Sequence, residues 1–234
     1  MRPLLVVLFV LSTTLSSYGN GFDYGIKISR NIAFILGNYT NSAEDIRVDL
    51  DPKLSYRFSI GGFARYHLTS ALSIQPELLY TTKGGTFNED VLIRGQQLRI
   101  DGDLTLRYIE VPVLLRLSSY LKRPPPPRYL PPGYTFNGYT GLSFGYNTSA
   151  RFSGDLRGDV FGVDFDEPFS SRVKDQFEST DISLLFGTGM EYGRDSWFTL
   201  DIRYAISIMD LGKDPDFTDR FRNSSISVMI GIVF

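Results

Sequence analysis

Residues 225–234 read Ser-Ile-Ser-Val-Met-Ile-Gly-Ile-Val-Phe, which alternates with a period of two. Every second position, from Ile226 to Phe234, is large and apolar, and the positions between them are mostly small. Successive side chains of a β-strand point to opposite faces, so this stretch predicts a strand with one wholly apolar face. Residues 198–208 repeat the pattern, but there the second face carries Asp201 and Arg203.

The same alternation recurs further towards the N-terminus. It appears in six more stretches, namely 22–29, 56–68, 72–83, 104–117, 136–148 and 182–192. Together with the two C-terminal stretches these are eight predicted strands of about 8–14 residues, and a tilted transmembrane β-strand needs about 9–11. The sequence therefore predicts an all-β fold of eight strands.

The connections between these strands alternate in length. Residues 69–71 and 193–196 are tight turns, whereas the gaps at 37–55, 86–103, 151–180 and 209–222 are long and polar. If the chain starts in the periplasm, all four long gaps fall on the opposite side of a membrane. Short periplasmic turns and long external loops are typical of bacterial outer-membrane barrels.

The polar faces of the strands carry balanced charges. Four cations and four anions lie on them: Lys27, Arg65, Glu77, Glu110, Arg116, Glu191, Asp201 and Arg203. An eight-stranded barrel has an interior just wide enough for side chains, so we expect these groups to form an ion network inside it. A secreted, lipocalin-like barrel that binds an apolar ligand is the alternative, and it would have the polar faces outside and the apolar faces inside.

Composition excludes several functional classes. The 234 residues contain no Cys and one His, and the net charge is −2. Disulfide scaffolds, thiolate zinc sites and multi-histidine metal sites are thereby excluded, and near-neutral charge argues against nucleic-acid binding. We expect no cofactor, no metal and no catalytic residue. An outer-membrane hydrolase is a third hypothesis that would depend on His67.

One acidic cluster has a weak resemblance to a calcium loop. Its members are Asp210, Asp214, Asp216 and Asp219. A calcium-binding loop of the EF-hand type needs a Gly at its sharp turn and a closing Glu, and both are missing here. We therefore do not predict a calcium site.

The N-terminus predicts export. Residues 1–19 have a positive Arg2, an apolar run at 4–11 and small residues at Ser17 and Gly19, as in a secretory signal peptide cleaved before Asn20. Residues 20–234 would then form the barrel domain. Within it, the Pro-rich connection 119–135 should lie in the periplasm as polyproline II, and we favour a stiff spacer over an arm that docks a partner.

Several segments resemble one known family. They are 63–66, 72–80, 83–85, 106–115, 187–191, 200–204 and the closing strand, and the most specific are Gln-Pro-Glu-Leu-Leu-Tyr at 75–80 and Tyr-Ile-Glu-Val-Pro-Val-Leu-Leu at 108–115. They resemble the PorT-like outer-membrane β-barrel family of Gram-negative bacteria. The resemblance implies an eight-stranded antiparallel up-and-down transmembrane barrel in the outer membrane, without a cofactor and usually without a defined activity.

The resemblance also implies partners. The family's namesake takes part in secretion of proteins across the outer membrane, so periplasmic or secretion-system proteins are candidate partners beside outer-membrane lipid. A terminal aromatic such as Phe234 resembles the signal that the outer-membrane insertion machinery reads. We expect a monomer with a structural, interaction or secretion-assembly role, rather than a large open pore.

Overall fold

The computed structural model describes ten stretches of the chain. They are residues 21–36, 39–43, 46–50, 53–69, 71–93, 96–119, 133–160, 163–193, 196–211 and 222–234. The predicted signal peptide 1–19, residues 120–132 of the Pro-rich connection and most of the acidic loop lie outside them. Within the described stretches, no helix is both long enough and apolar enough to span a membrane.

The described residues form eleven β-strands and one short 3₁₀ helix. The strands are β1 Phe22–Leu36, β2 Tyr39–Ala43, β3 Ile46–Leu50, β4 Ser55–His67, β5 Leu72–Ile93, β6 Gln96–Ser118, β7 Gly133–Val160, β8 Val163–Arg172, β9 Thr180–Gly193, β10 Trp197–Ser207 and β11 Arg222–Val233. The 3₁₀ helix, Lys174–Gln176, lies between β8 and β9.

Eight of the strands close into a ring. In ring order they are β1, β4, β5, β6, β7, β9, β10 and β11, and each pairs antiparallel with the next. β11 pairs with β1, with Ile230 opposite Ile28, and this pairing closes the barrel. The prediction of an eight-stranded, antiparallel, up-and-down barrel is confirmed.

The two faces of the barrel wall have the polarity of a membrane protein. On the outside, Ile202 and Ile230 are 52% and 57% exposed, whereas Arg116 and Asp201 on the inside are each 1% exposed. A soluble barrel would bury the first pair and expose the second, so the lipocalin-like alternative is wrong. Strands with an apolar outer face and a closed ladder of hydrogen bonds are stable in lipid.

Exposed aromatic rings lie towards both ends of this outer face. One group is at the end where β1 begins, namely Tyr24, Tyr66, Tyr134, Tyr192 and Phe198, and Tyr56 and Tyr146 are closer to the other end. Amphipathic rings favour the two membrane–water interfaces. The rings therefore mark the borders of the lipid-facing band.

Three barrel strands are much longer than a membrane requires. β5, β6 and β7 have 22, 23 and 28 residues. Pairing between β4 and β5 ends at Ser59 and Thr81, but β5 and β6 stay paired as far as Ile93 and Gln96. Just past Thr81, Gly84 has a φ of +124°, which a residue with a side chain rarely adopts.

The ends of the long strands form a sheet beyond the barrel, which we call the extension. β8 pairs with β7, β3 pairs with β5, and β2 pairs with β3, so the order in the extension is β2-β3-β5-β6-β7-β8. The gaps at 37–55, 86–103 and 151–180, which the sequence predicts as long external loops, thus contain β-strands over much of their length. Outside a membrane both faces can be polar, so cross-strand hydrogen bonds hold these strands without the alternation that reveals a lipid-facing strand.

The other end of the barrel carries the short connections at 69–71 and 193–196. At this end β6 stops at Ser118, just before the predicted Pro-rich connection 119–135. β7 begins at Gly133, so its first three residues lie inside that connection. The extension and the short turns thus lie at opposite ends of the barrel.

Introducing a cation on the outer face of the barrel tests whether this face contacts lipid. Ile202→Arg or Ile230→Arg should reduce the free energy of folding into vesicles by about 2–4 kcal/mol if the site is near the bilayer midplane. Equilibrium urea titration of the folded chain in phospholipid vesicles measures this loss. Leu54→Arg is the control, because Leu54 precedes β4 beside the extension and is 65% exposed, and it should change the free energy little. Equal effects of the three substitutions would contradict the assignment.

Candidate functional site in the barrel interior

Seven of the eight predicted interior side chains meet in one group, which we call the main cluster. Its members are Lys27, Arg65, Glu77, Arg116, Glu191, Asp201 and Arg203, and each is at most 4% exposed. They come from β1, β4, β5, β6, β9 and β10. The main cluster therefore draws on six of the eight barrel strands.

Glu77 is the first centre of the main cluster. Arg203 binds it through two nitrogens, with Nη1 2.9 Å from Oε2 and Nη2 2.9 Å from Oε1. Lys27 Nζ lies 2.8 Å from the same Oε1. A bidentate guanidinium pair fixes the orientation of both groups, so Glu77 links β1, β5 and β10 across the interior.

Glu191 is the second centre. Its Oε1 accepts from Arg65 Nη2 at 2.7 Å and from Arg116 Nη2 at 2.8 Å. Gln75 joins the two centres, because its Oε1 accepts from Arg65 Nε at 2.9 Å and its Nε2 donates to Glu77 Oε1 at 2.7 Å. The two carboxylates thus belong to one connected network.

Asp201 lies between the two centres. Its carboxylate is 3.8 Å from both Lys27 Nζ and Arg116 Nη1, and Thr199 Oγ1 donates to it at 3.0 Å. Gly189 faces Asp201, and a Cβ at Gly189 would collide with the carboxylate. The small residues of the polar faces therefore provide the space that the charged groups fill.

Aromatic rings line the remaining wall of the main cluster. Arg203 and Arg116 lie over the Tyr139 ring, 5.3 and 5.9 Å from its centroid, and Lys27 lies 4.7 Å from the centroid of Phe63. Cations are attracted to the faces of such rings. Gly187 leaves room for the Tyr139 ring, which a Cβ at that position would strike.

Glu110 belongs to a second, separate group, which we call the upper cluster. It consists of Lys83, Glu110 and Asp181, with Lys83 Nζ 2.6 Å from Glu110 and 2.8 Å from Asp181. Asp181 also accepts from Ser207 Oγ at 2.5 Å, and Lys83 lies 5.1 Å from the centroid of the Tyr108 ring. The eight predicted residues are thus divided between two clusters along the barrel axis.

An apolar cap covers the upper cluster on the side of the extension. Its buried members are Ile35, Phe87, Leu104, Leu106, Tyr108, Ala150 and Leu211, with Phe152, Val173 and Phe177 packed against them. The 3₁₀ helix separates Val173 from Phe177 and brings both side chains onto the cap. The cap closes the barrel at this end.

Little empty space is left between the two clusters. A cavity of about 20 Å³ lies there, lined by Lys83, Glu110, Arg203 and several small residues. This volume holds about one water molecule. This cavity is therefore too small for a ligand.

The sole His is in hydrogen-bond contact with a carboxylate at the rim. His67 Nε2 lies 3.0 Å from Asp23 Oδ2, and the same oxygen is 3.5 Å from Arg65 Nη1. In the part of the chain that the structure describes, no hydroxyl is hydrogen-bonded to the His67 ring. This arrangement lacks the nucleophile–base contact on which a hydrolase of the serine type depends.

Two further expectations concern Phe234 and metal ions. Phe234 lies on the outer face, where its ring is 5.8 Å from that of Tyr24, and its role as an insertion signal stays a prediction.

Among the described residues, no three His, Asp or Glu side chains are grouped so that they could hold a metal ion. Of the acidic loop, only Asp210 is among these residues.

The predicted ion network leaves out three members of the interior. The alternation places Lys83 and Gln75 on the polar face of β5 with Glu77, but the predicted network does not include them. Asp181 begins the alternation of β9 one residue before the predicted stretch. Its pairing with Lys83 across the barrel depends on strand register, which the sequence does not display.

The extension carries exposed ion pairs of a different kind. Arg157 lies within 3.5 Å of Asp101, Asp155 and Asp166. The hydrogen bond that it donates to Asp166 raises the pKa of the Arg157 guanidinium. Such exposed pairs contribute little to stability, because water screens them.

A family model for the outer membrane protein beta-barrel domain matches residues 14–212 of the chain. Among curated proteins, no sequence matches the chain.

Solved structures of similar fold include three bacterial barrels. Ail, the attachment invasion locus protein of Yersinia pestis, is 16% identical, with 92% of this chain and 100% of Ail covered and a TM-score of 0.40. OprG from Pseudomonas aeruginosa is 13% identical, with 89% and 94% covered and a TM-score of 0.41. Neisserial surface protein A is 15% identical, with 91% and 98% covered and a TM-score of 0.41.

Removing one centre of the main cluster should destabilise the barrel. Glu191→Ala removes the nearest carboxylate of both buried Arg65 and Arg116 and leaves them only the longer contacts to Asp23 and Asp201, so we expect a loss of about 3–5 kcal/mol. Asp166→Asn is the control, because its pair with Arg157 is exposed, and it should change stability by at most about 1 kcal/mol. Urea titration in vesicles compares the two variants with the wild type, and equal stability of all three would show that the main cluster does not support the fold.

Proposed function

The chain belongs to the outer membrane protein beta-barrel domain family, and we propose on this premise that it is a closed barrel that anchors the extension for contact with other proteins. Its location is the outer membrane. In this role the barrel conducts no solute and catalyses no reaction. The extension is the part that meets a partner.

The filled interior is the observation that carries this proposal. The main cluster joins six strands across the barrel, the upper cluster lies above it, and the apolar cap covers both. The cavity between them, of about 20 Å³, is too small for any solute beyond water. Opening a path would require breaking buried ion pairs, which costs several kcal/mol for each charge left alone.

The extension supports a role in contact with proteins. Because short turns lie in the periplasm in bacterial barrels, we place the extension on the cell surface, at the other end. β8 forms an edge of the extension and carries Pro168, and proline and charged residues at an edge discourage the addition of further strands. We therefore assign partner binding to the faces of the extension rather than to this edge.

Within the family we place the chain with the PorT-like members. The two most specific segments, 75–80 and 108–115, supply Gln75 and Glu77 to the main cluster and Glu110 to the upper cluster. Segments that resemble the PorT-like family and also supply the charged interior support a barrel of the same kind as in that family. A part in secretion of proteins across the outer membrane follows from this placement, with insertion guided by Phe234.

Conductance measurements test whether the barrel is closed. The purified full chain in a planar lipid bilayer should produce no stepwise current at moderate voltage, because both clusters and the cap block the axis. A porin of known conductance, inserted under the same conditions, shows that the assay would detect a channel. Reproducible unit steps from the wild-type chain would contradict a closed barrel.

Shortening the extension tests its role. Residues 89–100 are replaced by Asn-Gly, which joins Asn88 to Asp101, two residues that lie opposite each other in the β5–β6 register. The variant should keep the barrel, seen as faster migration before boiling, but it should fail to restore protein secretion to cells that lack the chain. The wild-type chain is the matched positive control. Full restoration by the shortened chain would contradict a role for the extension in secretion.

A further inference from the structure

Arg30 is a cation on the lipid-facing side of the barrel. Its side chain is exposed, and Ile28 and Ile32 lie below and above it on the same face of β1. Its register partners are Val228 on β11 and Phe58 on β4, which are exposed apolar residues. Arg30 therefore lies within the apolar band, where an unpaired charge is costly and marks a functional site.

Nothing in the described chain neutralises Arg30. Its guanidinium lies 5.1 Å from the centroid of the Tyr56 ring, and no ion pair joins it to a described residue. The carboxylates within the described membrane-spanning wall point inward: Glu77, Glu110, Asp181, Glu191 and Asp201. The outer wall of a second copy would therefore offer Arg30 no carboxylate, so the anion must come from elsewhere.

The direction of the guanidinium indicates the source of the anion. Tyr56 lies opposite Ile32, two residues from Arg30 towards the extension, so stacking draws the charged group to the cell-surface side. A long cationic side chain in this position places its head at the level of the lipid headgroups. Lys174, over the Tyr146 ring at 5.6 Å, is another cation beside an outward aromatic residue at this end.

We propose that Arg30 and Tyr56 form a binding site for the phosphate group of an outer-leaflet lipid. The planar guanidinium can bind two phosphate oxygens through the N–H groups at its edge, while its face lies over the exposed Tyr56 ring. Arg107 lies on the same row across the wall, because Arg30 pairs with Phe58, the Phe58 N–H donates to Thr82 Oγ1, and Thr82 pairs with Arg107. Three strand spacings of about 4.8 Å separate the ends of this row, so a second anionic group about 14 Å away would meet Arg107.

Thermal unfolding in defined micelles tests this site. The full-length wild-type chain and Arg30→Gln are folded in dodecyl maltoside, which has no phosphate, and phosphorylated lipid A is added in steps. Loss of the fast-migrating folded band on heating gives the unfolding temperature. Lipid A should raise this temperature for the wild type, and Arg30→Gln should need about tenfold more lipid for the same rise, as expected for one charged hydrogen-bond contact.

Two controls make the result specific to Arg30 and to phosphate. Lys53→Gln removes a cation beside the extension and should respond like the wild type, and enzymatically dephosphorylated lipid A should leave the wild type unchanged. Arg30→Gln should be as stable as the wild type before lipid is added. Equal responses of Arg30→Gln and the wild type, or equal stabilisation by the two forms of lipid A, would overturn the proposal. Either result would leave a carboxylate of another protein as the partner of Arg30.

Discussion

Glu77 and Glu191 hold four buried cations at the centre of the barrel, and the arrangement of the strands depends on these contacts. In each strand every second side chain is apolar and faces lipid. The side chains between them must face inward, where no bulk water reaches them. Charges in such a place are tolerated only when they are paired and hydrogen-bonded. The connected pairs of Arg203, Lys27, Arg65 and Arg116 with these two carboxylates meet that condition.

This constraint explains why the wall contains so many small residues. Tyr139 and Asp201 occupy space that side chains at Gly187 and Gly189 would otherwise fill. The register matters equally, because a slip of one residue would bring the charged groups to the lipid and the apolar groups into the interior. The same register therefore closes the barrel between β1 and β11, turns the apolar faces outward and brings the ion pairs together inside.

The barrel and the extension obey different rules. Inside the membrane the outer face must be apolar, so the alternation of apolar and polar residues in the sequence predicts these strands. Beyond it, β5, β6 and β7 continue as paired strands with polar residues on both sides, and the apolar cap under them closes the barrel end. A closed barrel with a long ordered sheet outside is well suited to hold a binding surface at a fixed height above the membrane.

The alternation predicts the eight barrel strands, the polarity of their faces and the inward position of residues such as Lys27 and Arg203. It does not predict that Glu110 pairs with Lys83 and Asp181, because that contact depends on register between strands far apart in the sequence. The alternation does not predict the extension either, because the polar composition of 86–103 equally fits a loop. Arg30 lies one residue past the predicted stretch 22–29, so the alternation assigns it to no face, and its place on the outer face follows from its neighbours on β11 and β4.

The absence of cysteine from the sequence allows the central claim to be measured directly. Single cysteines placed in turn at Ile226, Ser227, Val228, Met229 and Ile230 can carry a spin label, whose collisions with oxygen and with a water-soluble nickel complex report its surroundings. In lipid vesicles, labels at 226, 228 and 230 should collide with oxygen, and labels at 227 and 229 should be shielded from both reagents. Nickel access at 227 and 229 would reveal an open aqueous interior, and reversed parity would place the ionic face towards lipid. Either result would contradict a barrel with an apolar outer face and an interior filled by ion pairs.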